Sequence, residues 1–295
     1  MQYTIKYFFS CIFLCVTISN STAVGFSKAD SLFTNGNYFE ASIEYERQIF
    51  EARTLSTIPY LRYKKALCYK HVRDFERAVS ELEQVYFTNA NDTLYPLTVY
   101  EHALCLYLDD QPQKALWKID EYMHFAHDSI HYAYLLPLKI ISLNATMQWE
   151  KAKSEFNTLI NIINKEKTEC SVAEQKIEEL YSKKNLPRIK ERKKAENWSR
   201  FIPGSGQMYA GAAGEGALNF LIQASLLTLS AHQFLNGFYF TGYLAGLGFL
   251  NKVYQGGIVR AGNLAHTNTQ KQLSQFNYEA TLLLMDIQRE QIHAE

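Results

Sequence analysis

Ala29-Asp30-Ser31-Leu32-Phe33-Thr34-Asn35-Gly36-Asn37-Tyr38-Phe39-Glu40-Ala41-Ser42-Ile43-Glu44-Tyr45 is the stretch from which the fold can be read. Two apolar-periodic segments flank the breaker Asn35-Gly36-Asn37, and the pattern returns every 37 residues. Ala41, Ala78, Ala115 and Ala152 form one column, with Tyr38, Phe75, Pro112 and Trp149 three residues earlier. Tyr45, Leu82, Ile119 and Phe156 follow each alanine by four residues. Ala29, Ala66, Ala103 and Ile140 form another column, with Leu32, Tyr69, Leu106 and Leu143 three residues on. Pro59 and Pro96 share the period.

Small residues at one position and large ones three or four away fit helical rather than strand periodicity. Breakers separate the two periodic segments of a unit, at Asn35-Gly36-Asn37, at Arg73-Asp74 and at Asp109-Asp110-Gln111-Pro112. Each unit is therefore expected to be a helical hairpin, and residues 24–169 to hold four of them. One hairpin cannot bury its own apolar face, so the units must stack. The expected fold class is all-α, a helical-hairpin superhelix followed by an α-helical membrane hairpin.

The order Phe33, Gly36, Tyr38, Ala41, Tyr45 resembles the tetratricopeptide repeat. The resemblance extends from Val24 to about Glu169 and departs from the family in two ways. The period is 37 rather than about 34, and Ile140 stands in a column that is normally small. The extra residues are assigned to the connections between hairpins. The resemblance implies a non-enzymatic array binding a protein or peptide in a concave groove lined by the first helices. Carried over position by position, that groove comprises Phe33, Tyr60, Tyr63, Tyr100, Tyr107, Tyr134 and Asn144. Tyrosine joins contact area to a hydrogen-bonding tip, which suits recognition; the same rings equally suit packing between adjacent repeats.

The whole chain has 295 residues with 30 basic and 30 acidic side chains, and the array has a near-neutral balance, so a nucleic-acid surface is excluded as a partner. No His-Glu-x-x-His, phosphate loop or Gly-x-Ser-x-Gly elbow occurs, so neither a catalytic residue nor a cofactor is expected. His124, His127 and His131, near Glu121 and Asp128, have a spacing that could share a metal. They fall where one hairpin ends and the next begins, and are read as solvated loop histidines, with no metal. Cys68, Cys105 and Cys170 are odd in number once Cys11 and Cys15 leave with a signal, and read as small packing residues.

Residues 1–23 have the form of an export signal: Lys6, an uncharged run from Tyr7 to Ile18, then Ser21 and Ala23 as a cleavage site. An uncleaved N-terminal anchor is the alternative. Ile12-Phe13-Leu14 before Cys15 lacks the small residues of a lipoprotein signal.

Residues 170–200 are expected to form a capping helix, from Ser171 to near Lys183, stopped by Pro187, and then a basic juxtamembrane segment. From Lys183 to Arg200 there are eight basic residues against Glu191 and Glu196, a pattern suited to anionic headgroups with Trp198 and Phe201 at the interface, or to a solvated helix. Residues 201–262 are expected to be a membrane hairpin. Gly216 to Asn251 is 36 residues without a formal charge, too long for one span of an about 30 Å core, so it must turn, at Asn236-Gly237. A buried soluble hairpin is the alternative.

The second limb, Phe238 to about Val259, must let Lys252 snorkel, and Gly242 and Gly246 permit close helix contact. Asn219, Gln223, His232 and Gln233 should face the partner limb. Upstream, Pro203, Gly204, Gly206, Gln207, Tyr209 and Gly211 form Pro-Gly-x-Gly-Gln-x-Tyr-x-Gly, which resembles a small two-helix membrane domain of unknown role in bacterial envelope proteins. Its glycines allow a tight turn at membrane entry, while Gln207 and Tyr209 can bond backbone groups at the interface. Residues 263–295 read as a polar helix, whose run Leu282 to Met285 is a candidate to pack back onto the membrane domain.

Export of the repeats leaves the basic run outside, against the positive-inside tendency; cytoplasmic repeats leave the signal unexplained. Long translocated domains escape the charge rule, which favours export. The expectation is an adaptor of the cell envelope, with periplasmic repeats binding a protein partner and a hairpin anchor in the inner membrane. The alternative is a membrane-domain function, lipid handling or membrane-complex assembly, with the repeats as a recruitment arm.

Overall fold

The computed structural model describes residues 27–87, 92–125, 129–163 and 170–292. The signal segment, His127 and Asp128 lie outside them. Among the described residues there is no strand. The chain divides into two compact units, one formed by the residues up to Lys183 with the stretch from Asn277, the other by Lys184–Phe276.

In the first unit the expected hairpins are α1 (Lys28–Thr34) with α2 (Tyr38–Glu51), α3 (Ile58–His71) with α4 (Phe75–Glu83), α5 (Leu94–Leu108) with α6 (Pro112–Phe125), and α7 (Ser129–Ala145) with α8 (Trp149–Ile163). Local chemistry explains several of the ends. Ser27 caps α1 by accepting from the Asp30 N–H at 3.2 Å, and Asp74 caps α4 by accepting from the Arg77 N–H at 3.2 Å. Pro59 sits in the first turn of α3 and Pro112 opens α6, where a missing N–H is harmless.

The period recurs in the backbone itself. Gly36 (φ 80°), Arg73 (66°), Asp110 (59°) and Met147 (61°) are left-handed and 37 residues apart. After each, the next N–H reaches back five residues: Asn37 to Leu32, Asp74 to Tyr69, Gln111 to Leu106 and Gln148 to Leu143, at 2.9–3.0 Å. Four identical Schellman turns thus end the four first helices. Only the first carries the glycine that such a turn favours.

The alanine columns are the close-packed lines of the hairpins: Ala29, Ala41, Ala78, Ala103, Ala115 and Ala152 are wholly buried, and Ile140 is buried equally in its column. Each second helix packs on the following first helix, and α3, α5 and α7 contact one another in sequence. Ion pairs tie the junctions. Lys65 of α3 reaches Glu46 of α2 at 2.7 Å and Glu81 of α4 at 2.6 Å. Lys139 of α7 reaches Asp120 of α6 at 3.0 Å and Glu155 of α8 at 2.8 Å. Burial acts most strongly, lowering each ammonium pKa, but the carboxylate hydrogen bonds outweigh it and leave both raised.

The expected capping helix is α9 (Cys170–Leu180), packed on α8. It continues the columns: Ile177 lies 37 residues beyond Ile140, and Leu180 the same distance beyond Leu143. Tyr181 donates its hydroxyl to Asn144 Oδ1 at 2.9 Å, and its ring meets Phe156 at 5.9 Å. α9 is therefore the first helix of a fifth unit whose second helix does not follow in register. Leu282–Met285, expected to pack on the membrane domain, instead belongs to the compact unit of the repeats. There Ala280, Thr281, Leu284 and Ile287 are buried along one helix face.

The second unit contains α10 (Arg192–Phe201), α11 (Ser205–Ala210) and α12 (Ala213–Leu235), a turn at Gly237 (φ 78°), then α13 (Tyr239–Thr241), a π-helical stretch Gly242–Gly248, and the start of α14 (Phe249–Ile292). The break falls at Asn236-Gly237 as the sequence suggests. No helix boundary occurs near residue 262, because nothing there interrupts α14.

Candidate functional site

Of the seven groove positions, the structure gathers four tyrosines and exposes one strongly. Tyr63 and Tyr100 are buried, and Tyr100 meets the half-buried Tyr134 at 4.4 Å between ring centroids. Tyr60 is 44% exposed. Burial is the main reason that the phenols of Tyr60, Tyr63, Tyr100 and Tyr134 lie above their ordinary pKa, and the Glu101 carboxylate adds to it for the last three. Glu101 is itself buried and paired with Lys70 at 2.6 Å.

Phe33, half-buried, packs edge-on against Tyr38 and His71, and Lys64 sits 4.8 Å over its ring. Tyr107 is half-buried, its phenol pushed up to about 12 by burial and then by Asp110. Asn144 is wholly buried against Tyr181. Tyr63, Tyr100 and Asn144 thus pack between helices, while Tyr60 and Phe33, flanked by Lys64, offer surface.

The Pro-Gly-x-Gly-Gln-x-Tyr-x-Gly segment forms α11 and its two ends. Gly204 (φ 88°) and Gly211 (φ 96°) are left-handed, and Ala212 N–H reaches back to Gln207 O at 2.8 Å. A Cβ on Gly206 would overlap the Ala195 carbonyl and the Ser199 hydroxyl, so glycine is what lets α11 lie directly on α10. A Cβ on Gly204 would overlap the Gly216 carbonyl. Gln207, 2% exposed, donates to Gly257 O at 3.1 Å and accepts from Ser199 Oγ at 3.2 Å. It therefore joins α10 and α14 through α11. Tyr209 is half-buried, with Lys194 5.8 Å from its ring centre, and Pro203 lies at the bend before α11.

Downstream, polar side chains of α12 face the second limb. Gln223 donates to Asn219 Oδ1 at 2.9 Å, and buried Ser230 donates to Gly242 O at 2.9 Å. A Cβ on Gly246 would overlap Ser230, and one on Gly257 would crowd the Asn219 amide, so the expected close approach at Gly242 and Gly246 is present. Gln233 is partly buried beside Gly242. His232 departs from expectation: it is exposed, beside Asn236 of its own turn. The outward surface carries Leu218, Phe220, Leu221, Leu227, Phe240 and Leu244, all exposed. Among the described residues no helix is long and apolar enough to cross a membrane.

A further site escaped the sequence reading. His102 of α5 stands in the column of Lys65 and Lys139, yet it is buried and its Nε2 has no hydrogen-bond partner among the described residues. Burial, then Lys118, lowers its pKa to about 4. It lines a cleft of about 910 Å³ that is open to solvent. The signal was present in the sequence, because histidine interrupts a lysine column, but only the ion pairs of the structure reveal that column. Among the described residues no cluster of histidine, cysteine and acidic side chains could hold a metal ion.

No protein-family model matches the chain, and neither a curated protein nor a solved structure is significantly similar to it.

Proposed function

We propose that the chain is a protein-interaction adaptor of the cell envelope: a tetratricopeptide-like superhelical array that docks a protein or peptide, tethered by a C-terminal membrane hairpin. The carrying observation is the 37-residue period held through four hairpins, down to a left-handed backbone at the same position and the same reach-back bond in each. Stacked hairpins expose an extended surface made of many helices, which suits a polypeptide better than a small substrate.

The membrane reading is supported by how the hairpin sorts its side chains. Asn219, Gln223 and Ser230, which lower the average hydropathy of α12, are turned toward the second limb, and the outward residues are predominantly apolar. The 23 residues of α12 reach about 34 Å, enough for an about 30 Å core. Trp198 and Phe201 on the basic helix α10 are exposed, as interfacial residues are.

The reading is tested by a photo-crosslinking residue at Tyr60 or at Ile43 in the full chain, in intact cells, followed by alkaline extraction of the membranes. The adaptor reading expects one discrete adduct from Tyr60, none from Ile43 on the second helix, and a chain that resists extraction. Equal labelling from both positions, or release into the soluble fraction, would contradict it.

The alternative, lipid handling by the membrane domain, is favoured by one feature: an apolar cleft of about 570 Å³ lined by Phe201, Phe220, Leu227, Leu247 and Tyr254, with Arg200 at its edge. Its size falls in the about 300–1,000 Å³ range of ligand sites.

A further inference from the structure

We propose that the chain's own C-terminal stretch, residues 277–292 of α14, lies along the groove face of α5 and α7 as a built-in ligand. A partner gains this part of the groove only by displacing the stretch with an amphipathic helix of its own. The inference rests on reading the array as a docking surface, and names what controls access to it.

A burial that the hairpins do not explain points to this. Each middle first helix has neighbours behind it and on both flanks: α5 packs on α4 and α6 and touches α3 and α7. The groove face is the side that remains, and in an empty array it meets water. Yet Tyr100 and Leu104 of α5, one turn apart, are buried, and so are Pro137, Ile141 and Asn144 on the corresponding face of α7. From Thr98 to Leu106 every residue of α5 is buried, so this helix is covered on all its faces.

The sequence marks the limits of the cover. Tyr100, Pro137 and Glu174 share one column 37 residues apart, and Leu104, Ile141 and Glu178 another. On α5 and α7 the columns are apolar and buried; on α9 both become glutamate, and both glutamates are exposed. At the opposite end Tyr60 and His71 of α3 are exposed as well. The covering element therefore spans the middle of the groove and leaves its two ends open.

Among the described residues of this unit, the helix that remains outside the hairpins and α9 is the stretch from Asn277. Asn277, Ala280, Thr281, Leu284 and Ile287 are buried at spacings of three and four, a single stripe, while Glu279, Asp286 and Arg289 are exposed. Such a stripe is what an apolar groove takes from an amphipathic helix. From Asn277 to Ile287 it runs about 15 Å, enough to cross two helices with axes about 8–10 Å apart and too short to cross the whole array.

The probe is a fluorescently labelled synthetic peptide of residues 277–292, titrated into the detergent-solubilised full chain and followed by anisotropy. The wild-type chain, whose groove is filled, is expected to bind it at least about tenfold more weakly than the full-chain variant Leu284→Asp, whose own stretch no longer fits. Leu284→Ala, a milder change that guards against loss of the fold, should give an intermediate affinity. The peptide carrying Leu284→Asp should bind none of the three. Added native peptide should slow hydrogen exchange of the Leu284→Ala chain in α5 and α7 and leave α9 unchanged.

Equal affinity for the wild type and Leu284→Ala, or no saturable binding by Leu284→Ala, would overturn the proposal. So would equally tight binding of the aspartate peptide, or protection confined to α9. If these results fail while the crosslinked adduct from Tyr60 persists, the internal ligand falls and the docking array stands. If they hold while Tyr60 gives no adduct, the docking reading falls and the C-terminal stretch is structural packing alone.

Discussion

Replacing Gly36 by alanine isolates the backbone energy of the hairpin turn. Gly36 has φ +80°, and a Cβ built on it meets nothing within 4 Å, so no clash contributes. The left-handed conformation costs a residue with a Cβ about 1–2 kcal/mol, while alanine regains about 0.4–1 kcal/mol by restricting the unfolded chain. The net loss is about 0.5–1 kcal/mol. Met147 occupies the equivalent position three hairpins later with φ 61°, so Met147→Gly should gain about as much as Gly36→Ala loses. The two sites share no partner, so the double variant should return close to the wild-type value. Thermal unfolding of the detergent-solubilised chain by circular dichroism should move by about 2 °C in opposite directions for the single variants. Hydrogen exchange in α1 and α7 should report the changes locally. A neutral Gly36→Ala together with a destabilising Met147→Gly would refute the equivalence of the two turns.

Gly206→Ala should destabilise by about 1–3 kcal/mol or more, because its Cβ must displace the Ala195 backbone; thermal unfolding measures this, and an unchanged midpoint would contradict the α10–α11 packing. Acid should weaken the repeat unit between pH 6.5 and about 4. There the unfolded chain binds a proton at His102 that the folded chain refuses, so stability falls as pH drops; His102→Phe should flatten that slope in urea titrations at several pH values. Tyr181→Phe removes the hydroxyl that donates to buried Asn144 and should cost about 1–2 kcal/mol, read as faster hydrogen exchange in α9.

Much of the first unit is legible in the sequence because small and large residues occupy fixed columns, and close helix contacts tolerate little else. The turn column is only faintly legible, since Arg73 and Met147 carry no residue-type signal for a left-handed backbone and Asp110 only the mild tolerance that aspartate shows for it. The cap was legible as a helix, but not as a fifth first helix. Ile177 and Leu180 continue two columns in which the signature alanine had already been lost at Ile140.

Groove residues were the least legible. Helical period places Tyr60 and Tyr63 on related faces, but whether a ring meets solvent or the next hairpin depends on stacking, which buries Tyr63 and leaves Tyr60 exposed. In the second unit, Asn236-Gly237 marks the turn in plain sequence. The role of Gln207 as a buried tie to Gly257 needed the fold, because its partner lies 50 residues away.

The central claim, an array tethered through a lipid-facing hairpin, is tested most directly by a nitroxide scan of Gly216 to Asn251 in the full chain reconstituted into vesicles. The account predicts that Leu221, Leu227 and Phe240 relax with lipid-dissolved oxygen and not with a water-soluble nickel chelate, while positions 223 and 230 are shielded from both. Ready access of the nickel chelate to Leu221, Leu227 and Phe240 would contradict it.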